Sequence, residues 1–185
     1  MKALLVIDML NDFVDGVLAN EERARAIVPS IQRLIDHARA SDEWIVVYSS
    51  DAHRDDDPEI GIWGEHAMEG TPGAGVIEAL APAGGPDEIV SPKRGYSAFD
   101  GTGLAEQLRA RGVDEVVLTG QHTHCCVRHS AYDAFQGGFR VTVPADATAV
   151  FEGVEQEEAL EYLRTIYGAR VTTSTELVEP VAAAA

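Results

Sequence analysis

Two adjacent cysteines, Cys125 and Cys126, are the most reactive feature of the sequence. They lie in the segment 119–128 (TGQHTHCCVR), which follows the apolar run 116–118 and precedes residues with the spacing of a helix. This pattern predicts Cys126 at a turn from a buried strand into a helix. The amides and the dipole of a helix start lower the pKa of a thiol and can hold an oxyanion, so the position suits a nucleophile. The alternative is that both cysteines pack as small apolar residues, which is the more common role of cysteine.

A carboxylate and an ammonium group belong to the same prediction. Asp8 follows the apolar run 3–7, and Lys93 follows another predicted strand. Of the 14 lysines and arginines in the chain, only Lys2 and Lys93 are lysines, so an internal lysine indicates a site where arginine would not serve. Beside a thiol, a carboxylate can take the proton and an ammonium can stabilise the thiolate. Taken alone, Asp8 would be interpreted as a cap of the next turn and Lys93 as a surface residue.

A second group of residues has the composition of a metal site. Asp51 and His53 end the second predicted strand, and His66 follows in the same long loop. An Asp-x-His pair with a distant histidine can supply three ligands and leave positions open for water or substrate. Glu59 in this loop can be a fourth ligand or can orient one. The alternative is hydrogen bonding within the loop, and we interpret the carboxylates 55–57 as solvated charge.

Three aromatic residues, Phe13, Trp63 and Tyr96, are interleaved with these reactive residues. As a set near the strand ends they can form the walls of a pocket for a flat apolar substrate. The alternative for each of them is ordinary packing in the core.

The composition restricts the classes of function. The chain has 185 residues and a formal net charge of −17, which argues against nucleic acid and anionic membranes as partners. The sequence contains no run of about 18 apolar residues, so it predicts no membrane span. Two adjacent cysteines cannot form a disulfide framework, and the first residues do not resemble a signal peptide, so we expect a cytoplasmic protein. The length, and a composition that does not shift along the chain, predict one domain over residues 1–185. We expect a frayed tail at 182–185.

The order of the predicted elements indicates the fold. Strands alternate with helices, which predicts an α/β three-layer sandwich: a mainly parallel, open sheet of about six strands with helices on both faces. The predicted strands are 3–7, 44–48, 88–90, 113–118, 139–143 and 169–172. One predicted helix begins near Pro29, and four others cover 76–80, 104–111, 126–136 and 155–167. In such sheets ligands bind beyond the carboxyl ends of the strands, where Asp8, Asp51, Lys93 and Cys126 all fall.

Glycine-rich phosphate loops are missing from the sequence. Neither Gly-x-Gly-x-x-Gly after the first strand nor Gly-x-x-x-x-Gly-Lys-Ser/Thr is present, so dinucleotide and nucleoside-triphosphate binding lack their usual loops. The long loop 51–75, in contrast, exceeds what a simple connection needs, and loops of this length are usually functional.

These motifs, in this order, resemble those of the isochorismatase-like cysteine hydrolases, and among them most closely the nicotinamidases. The resemblance extends over nearly the whole chain. Its motifs are 6–9 with 11–13, 51–53, His66 with 70–74, 93–99, and 119–127 with Ala131 and 133–134. It implies the Rossmann-like topology of that superfamily and a catalytic triad of Asp8, Lys93 and Cys126, with Cys125 at a variable position.

The same resemblance implies a divalent metal ion, zinc or else iron or manganese, on Asp51, His53 and His66. Glu59 matches a ligand that only some members have. The resemblance further implies that Phe13, Trp63 and Tyr96 sandwich the substrate ring, while the metal positions the pyridine nitrogen. A homo-oligomer is also expected from the family.

The family also has a cis peptide bond before the oxyanion hole, which here would join Gln121 and His122. The amides of His122 and Cys126 would then hold the oxyanion. The pair Gln121-His122 departs from the small apolar pair that is more common at this position.

The implied reaction is amide hydrolysis through a thioester on Cys126, with nicotinamide as the expected small-molecule carboxamide and a role in NAD salvage. A hydrolase of the same family that acts on a carbamoyl or ureido substrate is an alternative, although such members generally lack the metal loop. A true isochorismatase does not need the nucleophilic cysteine. A non-catalytic binding protein on this fold would not need an intact triad, and a redox role for Cys125 and Cys126 would require a strained ring disulfide.

Overall fold

A parallel seven-stranded sheet is the centre of the computed structural model, which describes residues 1–179. The tail predicted at 182–185 lies outside the described residues. The strands are β1 (Lys2–Ile7), β2 (Trp44–Asp51), β3 (Glu88–Lys93), β4 (Glu115–Gln121), β5 (Arg140–Pro144), β6 (Thr148–Ala149) and β7 (Arg170–Thr172). The helices are α1 (Asn11–Val14), α2 (Glu21–Arg39), α3 (Ile60–Trp63), α4 (Leu104–Ala110), α5 (Cys126–Gln136), α6 (Gln156–Tyr167) and α7 (Ser174–Val178).

The strand order is β3-β2-β1-β4-β5-β7, and β6 pairs with the end of β4. The chain moves outward from β1 to β3 and then crosses to the other side of β1 to form β4. The order therefore reverses between β1 and β4, and open α/β sheets bind ligands outside the strand ends at such a reversal. The predicted α/β three-layer fold is confirmed, with the two-residue β6 as an additional strand.

Helices cover both faces of the sheet, which explains why the central strands are continuous apolar runs. Along β1 the side chains alternate between two cores. Ala3, Leu5 and Ile7 pack with residues of α4, α5 and α6, whereas Leu4 and Val6 pack with residues of α2 and α7. All five of these side chains are buried. Within residues 1–179, no helix combines the length and the apolar character that crossing a bilayer requires.

The structure differs from the sequence prediction in its element bounds. The helix predicted to begin near Pro29 begins at Glu21, and Pro29 lies inside it. Proline disfavours a helix interior, but the buried residues Ala24 and Ile27 extend the apolar face of α2 by two turns ahead of it. Strands β2 and β3 also extend further than predicted, to Asp51 and Lys93, because they pair in register to their ends.

Candidate active site

The reactive residues converge at the carboxyl ends of three neighbouring strands, β1, β2 and β3, and at the start of α5. Asp8 directly follows β1, Asp51 ends β2, and Lys93 ends β3. Asp51 and Lys93 are register partners in the parallel ladder. Cys126 is the first residue of α5, after the four-residue segment 122–125 that follows β4. The reactive side-chain atoms of Asp8, Asp51 and Cys126 all lie within 4.8 Å of one another.

The backbone at the end of β1 aims the Asp8 carboxylate into this cluster. Asp8 has a φ of 51°, a left-handed conformation that non-glycine residues seldom adopt outside functional or turn positions. Its Oδ1 accepts a hydrogen bond of 2.9 Å from the Asp51 amide. Across the ladder, Gly120 has a φ of 98°, and a Cβ there would lie 2.0 Å from the carbonyl oxygen of Ile7. Only glycine therefore allows β4 to approach the end of β1 so closely.

Lys93 is a fully buried ammonium group between two carboxylates. Its Nζ lies 2.8 Å from Asp8 Oδ2 and also forms an ion pair with Asp51 Oδ1. Burial alone would lower the pKa of Lys93, but the Asp51 and Asp8 carboxylates outweigh it and raise this pKa well above its usual value. Burial, and then the charge of Asp51, raise the pKa of Asp8 to about 6. This carboxyl group is therefore a better proton acceptor than an ordinary aspartate.

Cys126 is buried, and its sulfur lies within 4.8 Å of a carboxylate oxygen of Asp8. A hydrogen bond with the side chain of Cys125, together with burial, raises the pKa of the Cys126 thiol well above its usual value, although Lys93 opposes this. The lowered pKa expected at a helix start is therefore not found, because the Cys125 side chain and burial outweigh the Lys93 ammonium. Both cysteines are free thiols, and Cys125 is only half-buried.

The loop before α5 contains the cis peptide bond Gln121-His122, as the resemblance implied. The Gln121 side chain is buried, and its amide nitrogen lies 3.2 Å from the carbonyl oxygen of Phe13 and 3.4 Å from that of Asp8. Its Oε1 accepts a hydrogen bond from Asn20, which also donates to the carbonyl of Val150. This explains why a polar residue can replace the usual small apolar one at position 121.

The four predicted metal ligands, Asp51, His53, Glu59 and His66, form one buried cluster with ligand atoms within 4.8 Å of one another. His66 Nδ1 lies 2.7 Å from the carbonyl oxygen of Gly64, which leaves its Nε2 available. Burial, followed by the charge of Asp51, raises the pKa of Glu59 to about 7.

His53 carries the clearest sign that this cluster could hold a cation. Its Nδ1 lies 3.1 Å from Asp57 Oδ2, whereas its buried Nε2 has no hydrogen-bond partner among residues 1–179. A carboxylate behind one ring nitrogen and a free second nitrogen are typical of metal-binding histidines. The donor set of two imidazoles and two carboxylates suits Zn²⁺, Fe²⁺ or Mn²⁺.

Asp57 corrects the interpretation of residues 55–57 as solvated charge. Asp55 and Asp56 are exposed, but Asp57 is buried and orients His53. Hydrogen bonds from Arg94 hold the pKa of Asp57 well below its usual value despite burial. The spacing of His53 and Asp57, four residues apart, was the available signal, and the run of three aspartates obscured it.

A pocket opens above Cys126, and the three predicted aromatic residues line it. Phe13, Trp63 and Tyr96 are part of its wall, and the indole nitrogen of Trp63 donates a 3.2 Å hydrogen bond to the Tyr96 hydroxyl. Sequence reasoning missed Leu18 and Phe151, which line the same pocket. The full lining is Phe13, Leu18, Asp51, Glu59, Trp63, His66, Tyr96, His122, Cys125, Cys126 and Phe151.

A wider outer cleft adjoins this inner pocket and shares Leu18, Trp63 and Phe151 with it. Its remaining lining is Val17, Ala19, Asn20, Glu21, Glu22, Arg23 and Glu152. The outer cleft is thus the approach to the inner pocket, and three glutamates and one arginine line it.

Known proteins share both the sequence and the fold. The isochorismatase domain family matches residues 2–176. The chain is 34% identical to the nicotinamidase/pyrazinamidase of Mycobacterium tuberculosis over 182 residues, 89% of this chain and 95% of that protein. The structure of N-carbamoylsarcosine amidase from Thermoplasma acidophilum superposes with a TM-score of 0.86 at 40% identity, over 94% of this chain and 96% of that one.

A further solved relative is the pyrazinamidase of Pyrococcus horikoshii in complex with zinc. Its TM-score is 0.83 at 30% identity, over 93% of this chain and 98% of that one. The family match over residues 2–176 and these relatives agree with the strand-end cluster described above, and they show that the chain belongs to the isochorismatase family of hydrolases.

Proposed function

We propose that this protein hydrolyses a small uncharged carboxamide, with nicotinamide as the first candidate, to the carboxylic acid and ammonia. The observation that carries the proposal is the single inner pocket, which is lined both by Cys126 and by the ligand residues Asp51, Glu59 and His66. A thiol with its own carboxylate supplies nucleophilic catalysis. The aromatic walls suit a flat ring.

In the proposed acylation, the Asp8 carboxylate takes the thiol proton as the Cys126 sulfur attacks the carboxamide carbon. The raised pKa of the thiol means that this proton transfer accompanies attack rather than precedes it. The tetrahedral intermediate collapses when the protonated Asp8 gives its proton to the leaving nitrogen, and ammonia departs. Lys93 remains charged throughout and stabilises the negative charge that moves between Asp8 and the sulfur.

The oxyanion is assigned to two backbone amides, those of His122 and Cys126. Cys126 is the first residue of α5, and the amides at a helix start lack partners within the helix. One preorganised donor of this kind typically contributes about 3–4 kcal/mol to transition-state stabilisation.

In deacylation the Asp8 carboxylate again acts first as a base and then as an acid. Asp8 takes a proton from a water molecule, the resulting hydroxide attacks the thioester carbon, and the carbon–sulfur bond breaks. The proton then returns to the Cys126 sulfur. One water is consumed, and one acid and one ammonia are formed, so the cycle balances.

The four ligand residues would hold a divalent cation at the pocket wall through His53 Nε2, His66 Nε2 and the carboxylates of Asp51 and Glu59. Such an ion, when bound, supplies a Lewis-acid contact for a substrate heteroatom or a water. Asp57 and the carbonyl of Gly64 set the orientation of the two imidazoles.

The charges around the pocket favour an uncharged substrate. Within the described part of the chain, the inner pocket is lined by no arginine or lysine, and Lys93 beneath it is already paired with two carboxylates. In the outer cleft Arg23 is outnumbered by Glu21, Glu22 and Glu152. A carboxylate-bearing substrate would therefore enter this pocket without an arginine or lysine as its counter-ion.

Hydrolysis of an N-carbamoyl amino acid is the second candidate. Its support is the 40% identity to the N-carbamoylsarcosine amidase structure. The lack of an arginine or lysine in the lining of the inner pocket and the complete set of four metal ligands both count against it.

An ammonia-release assay with Zn²⁺-loaded protein tests the choice between the two candidates. We expect release from nicotinamide and pyrazinamide, little release from N-carbamoylsarcosine, and none with the Cys126→Ala variant as the control for contaminating amidase. Turnover of N-carbamoylsarcosine with no turnover of either aromatic amide would reverse the assignment.

A further inference from the structure

His122 has a buried side chain that the proposed reaction does not use. Only its backbone amide serves the oxyanion. The imidazole is 3% exposed and lines the inner pocket together with Cys126. Its Nε2 has no hydrogen-bond partner among residues 1–179. A buried polar atom without a partner costs free energy, so such an atom at a pocket wall calls for an explanation.

Neighbouring rings hold this imidazole in one orientation. Its centroid lies 3.8 Å from that of Phe151, and the edge of Phe13 packs against it at 6.1 Å. The carbonyl of His122 also accepts hydrogen bonds from the amides of Cys125 and Val127, at 2.9 and 3.2 Å. The ring is thus fixed before any ligand arrives, as a recognition group should be.

We propose that the His122 side chain is a specificity-determining residue, whose Nε2 forms a hydrogen bond with a polar group of the bound amide other than the reacting carbonyl oxygen. This inference rests on the proposed function. Two groups of a pyridine carboxamide have the required chemistry: the carboxamide nitrogen and the ring nitrogen. Both are uncharged hydrogen-bonding groups.

The surroundings of the ring match an uncharged partner. Burial, and then the neighbouring His124, lower the pKa of His122 to about 3, so the imidazole is neutral at ordinary pH. A neutral imidazole offers one donor and one acceptor and no charge. It therefore discriminates by the geometry of hydrogen bonding, in agreement with a pocket lining that contains no cation.

His124 provides a matched control. It also contacts Phe151, at 4.9 Å between centroids, and its buried Nδ1 likewise lacks a partner within the described residues. It does not line the inner pocket, however, but a separate surface groove with Arg128 and Tyr162. The substitution to phenylalanine thus makes the same chemical change at both histidines, and only one of them faces the substrate.

The test measures binding of nicotinamide and benzamide by calorimetry to Zn²⁺-loaded protein with the Cys126→Ala substitution, so that no turnover occurs. Adding His122→Phe should weaken the binding of nicotinamide about 10-fold or more. His122→Gln, which restores a hydrogen-bonding group, should recover most of the loss, and His124→Phe should change the affinity less than about 3-fold. A loss with both amides identifies the carboxamide nitrogen as the partner, and a loss with nicotinamide alone identifies the ring nitrogen.

A spectroscopic measurement separates hydrogen bonding from altered packing. The ¹⁵N signal of His122 Nε2 in the Cys126→Ala protein should shift when nicotinamide is added, whereas the His124 signals should not. Unchanged affinity in His122→Phe, or an equal loss in His124→Phe, would overturn the proposal. If Cys126→Ala alone binds neither amide, the proposed function is itself wrong and the role of His122 falls with it.

Discussion

The two sides of the pocket are held in place by different means. On the nucleophile side, Asp8, Asp51 and Lys93 stand at the ends of paired strands, and Lys93 joins the two carboxylates in one buried ion cluster. On the cation side, His53, Glu59 and His66 come from the loop that follows β2, and the Asp57 carboxylate and the Gly64 carbonyl orient the two histidines.

This difference predicts how strongly substitutions on each side affect the protein. A strand end is fixed by the hydrogen bonds of the backbone ladder, so a side chain there tolerates little change. A loop is fixed by a few contacts that can be altered one at a time. We therefore expect changes on the nucleophile side to abolish activity or stability, and changes on the cation side to have graded effects.

The largest expected effect belongs to the nucleophile. Cys126→Ala should lower kcat about 10⁴-fold or more, because no other group can form the thioester. Cys125→Ala should keep most of the activity, since the structure places Cys125 half-buried at the pocket rim. Steady-state ammonia release measures both variants. Equal losses from the two substitutions would assign the nucleophile to neither position alone.

The next prediction concerns the free energy of unfolding and compares a lysine of the nucleophile side with an arginine of the cation side. Lys93→Met leaves the buried carboxylates of Asp8 and Asp51 without their cation and should lower the free energy of unfolding by about 3–5 kcal/mol. Arg54→Met, in the loop of the cation side, removes an exposed guanidinium from its ion pair with the exposed Glu69 and should cost about 1 kcal/mol or less. Urea denaturation of the chelator-treated proteins measures the difference. Similar costs for both would contradict the distinction between the two sides.

On the cation side, Asp57→Asn should weaken metal affinity about 10- to 100-fold, since the carboxylate behind His53 sets the orientation and basicity of its ring. Asp55→Asn is the control, because Asp55 is an exposed aspartate of the same run. Competition with a chromogenic chelator reports the affinities. Equal losses of metal affinity in the two variants would contradict the orienting role of Asp57.

The smallest expected effect is a change in the free energy of unfolding at Gln121, which lies at the boundary between the two sides. Gln121→Leu removes hydrogen bonds to the carbonyls of Asp8 and Phe13 and should lower the free energy of unfolding by about 1–3 kcal/mol. Gln107→Leu, on the exposed surface of α4, should be close to neutral. Thermal or urea unfolding measures both, and a neutral Gln121→Leu would show that its side chain does not support the oxyanion loop.

The nucleophile side was largely predictable from sequence, because an apolar run ends directly in Asp8, the strand predicted at 88–90 leads to Lys93, and parallel strands end at one edge. The raised pKa of the Cys126 thiol was not predictable, since it depends on the contact with the Cys125 side chain and on burial, which only the tertiary structure sets. Phe151 was also missed. It follows the two-residue β6, which is too short to leave a periodic signal, and it reaches the pocket only through tertiary packing.

The central claim is that Cys126 carries the acyl group during amide hydrolysis. The most direct test is to quench Zn²⁺-loaded protein with acid during turnover of nicotinamide and to map the modified peptide by mass spectrometry. We predict a nicotinoyl thioester on Cys126 that disappears when the substrate is exhausted and is absent from Cys126→Ala. Sustained release of ammonia with no adduct on Cys126, or with the adduct on Cys125, would contradict the account.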